Sequence, residues 1–199
     1  MKQKNIRLAA VEDANGILQI YAPFITQTVI TFECRVPQPK DFRQRIAAGL
    51  QKYPWLLCEI DGHIAGYAYA ARFHEREAYD WSVTSSIYVD PRYHRQRIGQ
   101  ALYTALFDLL RMQGFYNVYS LVITPNPQSE GLHEFFGFKT RAIFEKTGFK
   151  GGQWLDVKWY ELYLREHNSP PEPFKPIGDI AASEDFSQIL ARAEQIICD

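Results

Sequence analysis

The chain is 199 residues long, 46% hydrophobic and 23% charged, proportions that fit a soluble globular fold and exclude disorder over most of its length. Its net charge of −1 gives no general attraction to nucleic acid or to an anionic membrane, so neither is expected as a partner and any anion site must be local. No stretch approaches the roughly 20 apolar residues of a membrane-spanning helix, and Arg7, Glu12 and Asp13 break the opening residues where a secretory signal needs an apolar run.

Residues 13–28 form the first expected helix, with Asp13 placed to cap it and Ile17, Ile20, Tyr21 and Phe24 on one face. Pro23 is expected to bend or end it. Residues 40–53 give a second helix, with Phe42, Ile46 and Leu50 at fourfold spacing and a stop at Pro54. Three strand-like runs follow at 55–60, 63–73 and 79–89, the first two joined by Asp61-Gly62, a dipeptide suited to the positive φ of a tight hairpin turn. Residues 96–113 carry the strongest helical stripe, Ile98, Leu102, Ala105, Leu106, Leu109 and Met112, ended by Gly114. A strand at 118–123, a TPNPQ loop, a short helix near 129–136 and strands near 139–145 and 156–164 complete the series, the last two separated by KTGFKGGQW. This order predicts a mixed α/β sheet with helices on both faces.

From His167 the composition changes to NSPPEPFKPIGD, which favours an extended linker. A boundary is therefore expected near 166, dividing residues 1–166 from 167–199. In the second segment Ser183 caps a last helix whose stripe, Phe186, Ile189, Leu190, Ala193 and Ile197, must be buried against its own domain or a second copy of the chain. Three cysteines, Cys34, Cys58 and Cys198, match no zinc or CxxC spacing and suit a reducing compartment, so a cytoplasmic protein without a metal is expected.

The strongest helix opens on HRQRIGQAL, residues 94–102, with His94, Arg95 and Arg97 and no acid in its first turn. The positive end of a helix dipole disfavours cations unless an anion is bound there. Free first-turn N–H groups form an anion site, Gly99 and Ala101 are small enough for close approach, and Arg95 and Arg97 suit phosphate oxygens. The expected ligand is a phosphate or pyrophosphate. The phosphate motifs GxxxxGK[ST] and GxGxxG are absent, which disfavours a nucleoside triphosphatase or a dinucleotide dehydrogenase.

QRIGQA at 96–101 fits the [Q/R]xxGx[G/A] acetyl-CoA signature of the GNAT superfamily of N-acetyltransferases. The chain also resembles the phosphinothricin and methionine sulfoximine acetyltransferase branch at ITFE (30–33), YPWL (53–56), GYAYA (66–70), AYDW (78–81), SIYVDP (86–91), PNPQSEGLHEFFGF (125–138) and GFKGGQWLDV (148–157). The resemblance covers roughly residues 5–164 and leaves the tail outside. It implies an α/β (α+β) GNAT fold, a mixed and mostly antiparallel sheet of six or seven strands flanked by helices, with an extra C-terminal helix, and a homodimer. It implies acetyl-CoA as co-substrate, its pantetheine arm on the backbone of Ile87, Tyr88 and Val89 and its pyrophosphate on the cradle of Arg95, Gln96, Arg97, Ile98, Gly99, Gln100 and Ala101, with Asn126 and Ser129 touching the cofactor beyond the next strand.

The implied reaction is N-acetylation of a small amino-acid-like amine, which requires loss of a proton from the acceptor's ammonium, donors for the developing oxyanion and a proton for the departing thiolate. His133 stands where many relatives place a tyrosine for that last task; it reads equally as a packing or adenine-side histidine. The branch usually carries W-[ST]-V-E before the splayed strand, the glutamate being its presumed base, whereas this chain reads Trp81-Ser82-Val83-Thr84. Thr84 cannot take a proton at neutral pH. Glu33 is the nearest alternative, with Asp80 behind it; deprotonation by solvent and loss of catalysis are the others, the last making the chain an impaired CoA-binding protein. Phe32, Arg72, Arg76 and Tyr79 are the expected acceptor contacts, although either arginine reads equally as an ordinary loop charge. Trp154 either closes the pocket or joins a dimer contact. A peptide acetyltransferase on the same fold is the third reading.

Overall fold

In the computed structural model, which describes residues 2–167 and 170–198, a seven-stranded sheet runs in the order β1-β2-β3-β4-β5-β7-β6. The strands are β1 Lys4–Leu8, β2 Trp55–Ile60, β3 His63–Arg72, β4 Ser82–Val89, β5 Asn117–Thr124, β6 Lys139–Lys150 and β7 Gln153–Tyr163. Every neighbouring pair is antiparallel except β4 with β5. The helices are α1 Ala14–Gln27, α2 Pro39–Gly49, α3 Ile98–Gln113, α4 Pro127–Phe135, α5 Ile177–Ile180 and α6 Glu184–Glu194.

Strand alternation sends side chains to two faces, and each face has its own core. On one, Leu57 and Tyr67 pack with Ile17, Tyr21 and Ile25 of α1 and Phe42 and Ile46 of α2. On the other, Ala68, Val83 and Val118 pack under Leu102, Leu106 and Leu109 of α3 and under Ile177, Ile180, Phe186, Ile189 and Ile197 from the tail. The tail stripe is thus buried within its own chain. Asn168 and Ser169 of the expected linker lie outside the described residues.

Three expectations change in detail. Pro23 sits inside α1, which continues to Gln27; burial of Ile20, Tyr21 and Ile25 on both sides offsets the amide bond that proline cannot make. The KTGFKGGQW stretch is mostly strand, because the register shifts between Phe144 and Gly148 and pairing resumes through Phe149 opposite Trp154, confining the turn to Gly151 and Gly152 at φ +60 and +77. Asp13 precedes α1 but does not cap it; its carboxylate accepts from Ala10 N at 2.7 Å and pairs with Arg7. The hairpin at Asp61 and Gly62 forms as expected, with φ of +51 and +79.

Candidate functional site

The site is built by a strand pair that comes apart. β4 pairs with β5 only through Ser82, Val83 and Thr84 against Asn117, Val118 and Tyr119, while its other edge pairs with β3 as far as Val89. At the apex of the gap, buried Ser85 Oγ and Ser120 Oγ share a hydrogen bond of 2.6 Å. Beyond it the facing edges of residues 85–89 and 120–124 have no ladder partner among the described residues, which leaves backbone donors and acceptors free to bind an extended chain.

A cavity of about 790 Å³ fills the gap. Its lining includes Ser85, Ile87, Val89, Tyr103, Ser120 and His133 from the α3 side of the sheet and Phe24, Ile30, Ser86, Tyr88 and Leu121 from the α1 side. The alternation along β4 and β5 therefore makes this a passage through the sheet, open to reactants from both faces.

At one mouth stands the start of α3. Asp90 accepts from Arg92 N at 2.9 Å to form a short turn, and Arg95 and Arg97 then take left-handed backbone at φ +65 and +59. Arg97 is the N-cap and makes no side-chain cap bond, so the N–H groups of Ile98, Gly99 and Gln100 point outward free of helical acceptors. Arg95, Arg97, Ile98, Gly99 and Gln100 line the cavity. Two expected cradle members do not join them. The Ala101 amide already bonds Arg97 O at 2.9 Å, and its side chain is buried in the core. Gln96 faces the tail, its carbonyl accepting from Cys198 N at 3.0 Å.

Left-handed backbone is costly for any residue with a Cβ, by roughly 1–2 kcal/mol, and glycine escapes that cost. Arg97→Gly is therefore expected to raise the melting temperature by a few degrees, while the loss of one exposed guanidinium weakens phosphate binding by no more than about fivefold. Thermal melting and calorimetry check both.

On the inner wall a chain of polar groups leaves the apex. Tyr103 Oη lies 3.5 Å from Ser85 Oγ and 3.4 Å from His133 Nε2, and His133 Nδ1–H donates to Ser129 O at 2.7 Å. That bond fixes the tautomer, so Nε2 accepts from Tyr103. Burial pushes the His133 pKa below its ordinary value, which keeps the ring neutral at pH 7, and burial pushes Tyr103 up to about 12. Asn126 caps α4 by accepting from Ser129 N at 3.3 Å, and both residues line the cavity. Tyr103 was missed in the sequence, though its position one helical turn after Gly99 places it on the cradle's face.

The expected acceptor residues do not converge. Phe32 lies against Gly148, where an added Cβ would come within 2.2 Å of its ring; Arg72 pairs with Asp80 at 3.3 Å; Arg76 is exposed; Tyr79 packs on Phe73 and His74. Glu33 is tied to Arg45 at 2.6 Å. Thr84 Oγ1 donates to Ala71 O at 3.4 Å. None of these six lines the passage. Trp154 is exposed at the far end of the β6–β7 hairpin, against Phe149.

A sequence model of the acetyltransferase (GNAT) domain matches residues 6–159. The chain belongs to the GNAT acetyltransferase family. This acetyltransferase is 34% identical over 175 residues to the phosphinothricin N-acetyltransferase of Streptomyces viridochromogenes, covering 88% of this chain and 95% of that one. It is 30% identical over 166 residues to the L-methionine sulfoximine/L-methionine sulfone acetyltransferase of Salmonella typhimurium, covering 83% and 97%. A crystal structure of a GNAT superfamily phosphinothricin acetyltransferase from Sinorhizobium meliloti in complex with AcCoA superposes with a TM-score of 0.80 at 28% identity, covering 87% of this chain and 98% of that one. The expected mixed sheet with flanking helices is the fold found.

Proposed function

We propose that this acetyltransferase moves the acetyl group of acetyl-CoA to the amino group of a small amino-acid-like acceptor of the phosphinothricin or methionine sulfoximine type. The observation that carries the reading is the passage through the sheet, with an anion cradle at one mouth and an open, largely apolar surface at the other. The residues present fit acetyl-CoA. The free amides of Ile98, Gly99 and Gln100, with Arg95 and Arg97, would hold its pyrophosphate, and the unpaired edge of Ile87, Tyr88 and Val89 would hold the pantetheine arm. Bound there, acetyl-CoA supplies an activated thioester. Backbone N–H groups at the splay stabilise the developing oxyanion. Asn126 and Ser129 border the same groove.

Neutral His133 orients the Tyr103 hydroxyl, which lies between the imidazole and the apex, by accepting from it at Nε2; with its one N–H held by Ser129 O, the ring has no proton at Nε2 to give the leaving thiolate. Thr84 does not supply the base in this arrangement, since a threonine hydroxyl has no acid–base range near pH 7, and Glu33 is tied to Arg45. An impaired CoA-binding protein draws no support from the relatives, which are N-acetyltransferases.

We take residues 1–166 as the segment that carries the acetyltransferase site and 167–199 as a strap that completes its core, and place the protein in the cytoplasm as a homodimer. The exposed Phe144, Phe149 and Trp154 of the β6–β7 hairpin suit a second copy. Thiol release from acetyl-CoA, measured with phosphinothricin, methionine sulfoximine and a panel of amines and peptides, tests the activity. Turnover confined to amino-acid-like acceptors is expected; preference for peptides, or no binding of acetyl-CoA near millimolar concentration, would sink it.

A further inference from the structure

The α1 face of the sheet carries a buried carboxylate that the reading above does not use. Glu161 of β7 is 8% exposed; its Oε1 accepts from Tyr119 Oη at 2.7 Å and its Oε2 from Arg141 Nε at 2.5 Å. The register sets Glu161 opposite Tyr119 and Tyr119 opposite Thr84. Directly paired residues project to the same face, so these three side chains form one row across the sheet. The row lies one residue, about 3.3 Å of strand, from the Ser85–Ser120 apex.

Phe73 lies almost flat on the Tyr119 ring, with centroids 4.3 Å apart, and Trp159 meets Phe73 edge-on. These rings hold the tyrosine in place, next in the chain to Ser120 of the apex. Facing the pair are Arg141 and Lys139 of β6 and Tyr163 of β7, the last against His167. On the β4 side the facing group is Thr84.

A purely structural role explains the carboxylate poorly. Its cationic partner Arg141 is half in solvent, where ion pairs contribute little, and burying a charge in a sheet commonly yields less stability than apolar packing of the same volume.

We infer that Tyr119 and Glu161 are the proton-accepting pair of the acetyl transfer, Tyr119 meeting the acceptor's ammonium and Glu161 positioned behind it to take the proton, an inference that rests on the function proposed above. The ammonium gives one proton to Tyr119 Oη as the tyrosine's own proton moves to Glu161 Oε1. The freed lone pair forms the N–C bond to the acetyl carbon while the C–S bond breaks, its electron pair leaving on sulfur. The second nitrogen proton goes to that sulfur, and Glu161 returns its proton through Tyr119 to solvent.

The electrostatics agree. Burial alone would raise the Glu161 carboxyl, but the hydrogen bonds from Tyr119 and Arg141 outweigh it and hold the group below the usual carboxylate range. It is therefore ionised at neutral pH. Burial, then the bond to Glu161, raises the Tyr119 hydroxyl above its ordinary value, so it keeps its proton until the transfer.

The test is the pH profile of kcat/KM for the full chain, Glu161→Gln and Tyr119→Phe. Glutamine keeps an oxygen for Tyr119, and phenylalanine keeps the ring under Phe73. With the pair intact the ammonium form of the acceptor reacts, so the profile is flat from neutral pH, where Glu161 is ionised, up to the acceptor's amine pKa, and falls only where acid protonates Glu161. Each variant is expected to lose about 10²-fold at pH 7 and to rise with a slope of about one in log rate per pH unit, converging on the wild type at high pH. Acetyl-CoA affinity, read by calorimetry, and melting temperature are expected to hold. Thr84→Glu in the Glu161→Gln background places a carboxylate in the same row and should restore the flat profile. Wild-type rates in both variants, or a loss equal at every pH, would overturn the inference while the acetyl-transfer reading stands. A wild-type chain that binds acetyl-CoA yet releases no thiol with any acceptor would overturn both.

Discussion

Gly99→Val raises the dissociation constant for acetyl-CoA by about 10²-fold or more and leaves the chain folded. Gly99 is the second residue of α3 and lines the passage beside the free amides of its own first turn. A Cβ built there meets Leu132 Cδ2 at 3.4 Å and Ile87 Cδ1 at 3.7 Å, which is ordinary contact. Alanine is therefore accommodated, and since alanine is the better helix former it gains up to about 1 kcal/mol of stability. Valine adds two methyl groups on a stiff χ1, and they must occupy the space in front of the amides that a phosphate would fill. Two lost charge-assisted hydrogen bonds, at about 1.5–3 kcal/mol each, correspond to a factor of roughly 10² to 10⁴ in affinity. Calorimetry with acetyl-CoA, alongside thermal melting, separates the two variants. If valine binds within fivefold of the wild type, the pyrophosphate lies elsewhere.

That position was legible in the sequence because a helix start is a local object: its free amides and glycine spacing follow from a few consecutive residues. The left-handed backbone of Arg95 and Arg97 was not, since nothing in an arginine announces positive φ. The apex at Ser85 and Ser120 is less visible still. Those residues are 35 apart in the chain, and only the register of a parallel pair that ends after Thr84 brings them together. The same is true of the row Thr84, Tyr119 and Glu161, which three strands bring side by side.

The expected acceptor residues do not come together, for a related reason. Phe32, Arg72, Arg76 and Tyr79 were placed by their neighbourhood in sequence, but their contacts are set by folded loops that satisfy them locally, as with Arg72 on Asp80 and Glu33 on Arg45. Composition likewise marked the tail as separate from about residue 167. Its prolines do carry extended chain, yet the apolar residues beyond them enter the largest core. Linker chemistry reports local stiffness and says nothing about where the following helix docks.

Ending the chain at Glu166 abolishes stable folding, and ending it at Gln195 keeps the fold while weakening acetyl-CoA binding several-fold. The first cut removes Ile177, Ile180, Phe186, Ile189 and Ile197, each buried, at roughly 1.5–3 kcal/mol of burial apiece. The net stability of a domain is typically only about 5–15 kcal/mol. The cut also leaves the Gln113 side chain, 1% exposed, without Lys175 O as acceptor at 2.7 Å, and it strips the outer edge of β1, where Ile6 N donates to Glu194 Oε1 at 2.8 Å. An uncovered strand edge above an uncovered apolar helix invites aggregation. The second cut is narrower. It takes away buried Ile197 and the bond from Cys198 N to Gln96 O, one residue before the N-cap of α3. That bond fixes the backbone between two left-handed arginines, so its loss lets the cradle sample other conformations and lowers the fraction ready to bind. Melting curves and calorimetry on the two truncations read the effects separately. A chain ending at Gln195 with unchanged affinity would show that the cradle is held by α3 and Asp90 alone, and a chain ending at Glu166 that melts cooperatively near the wild type would show that the tail only rests on the core.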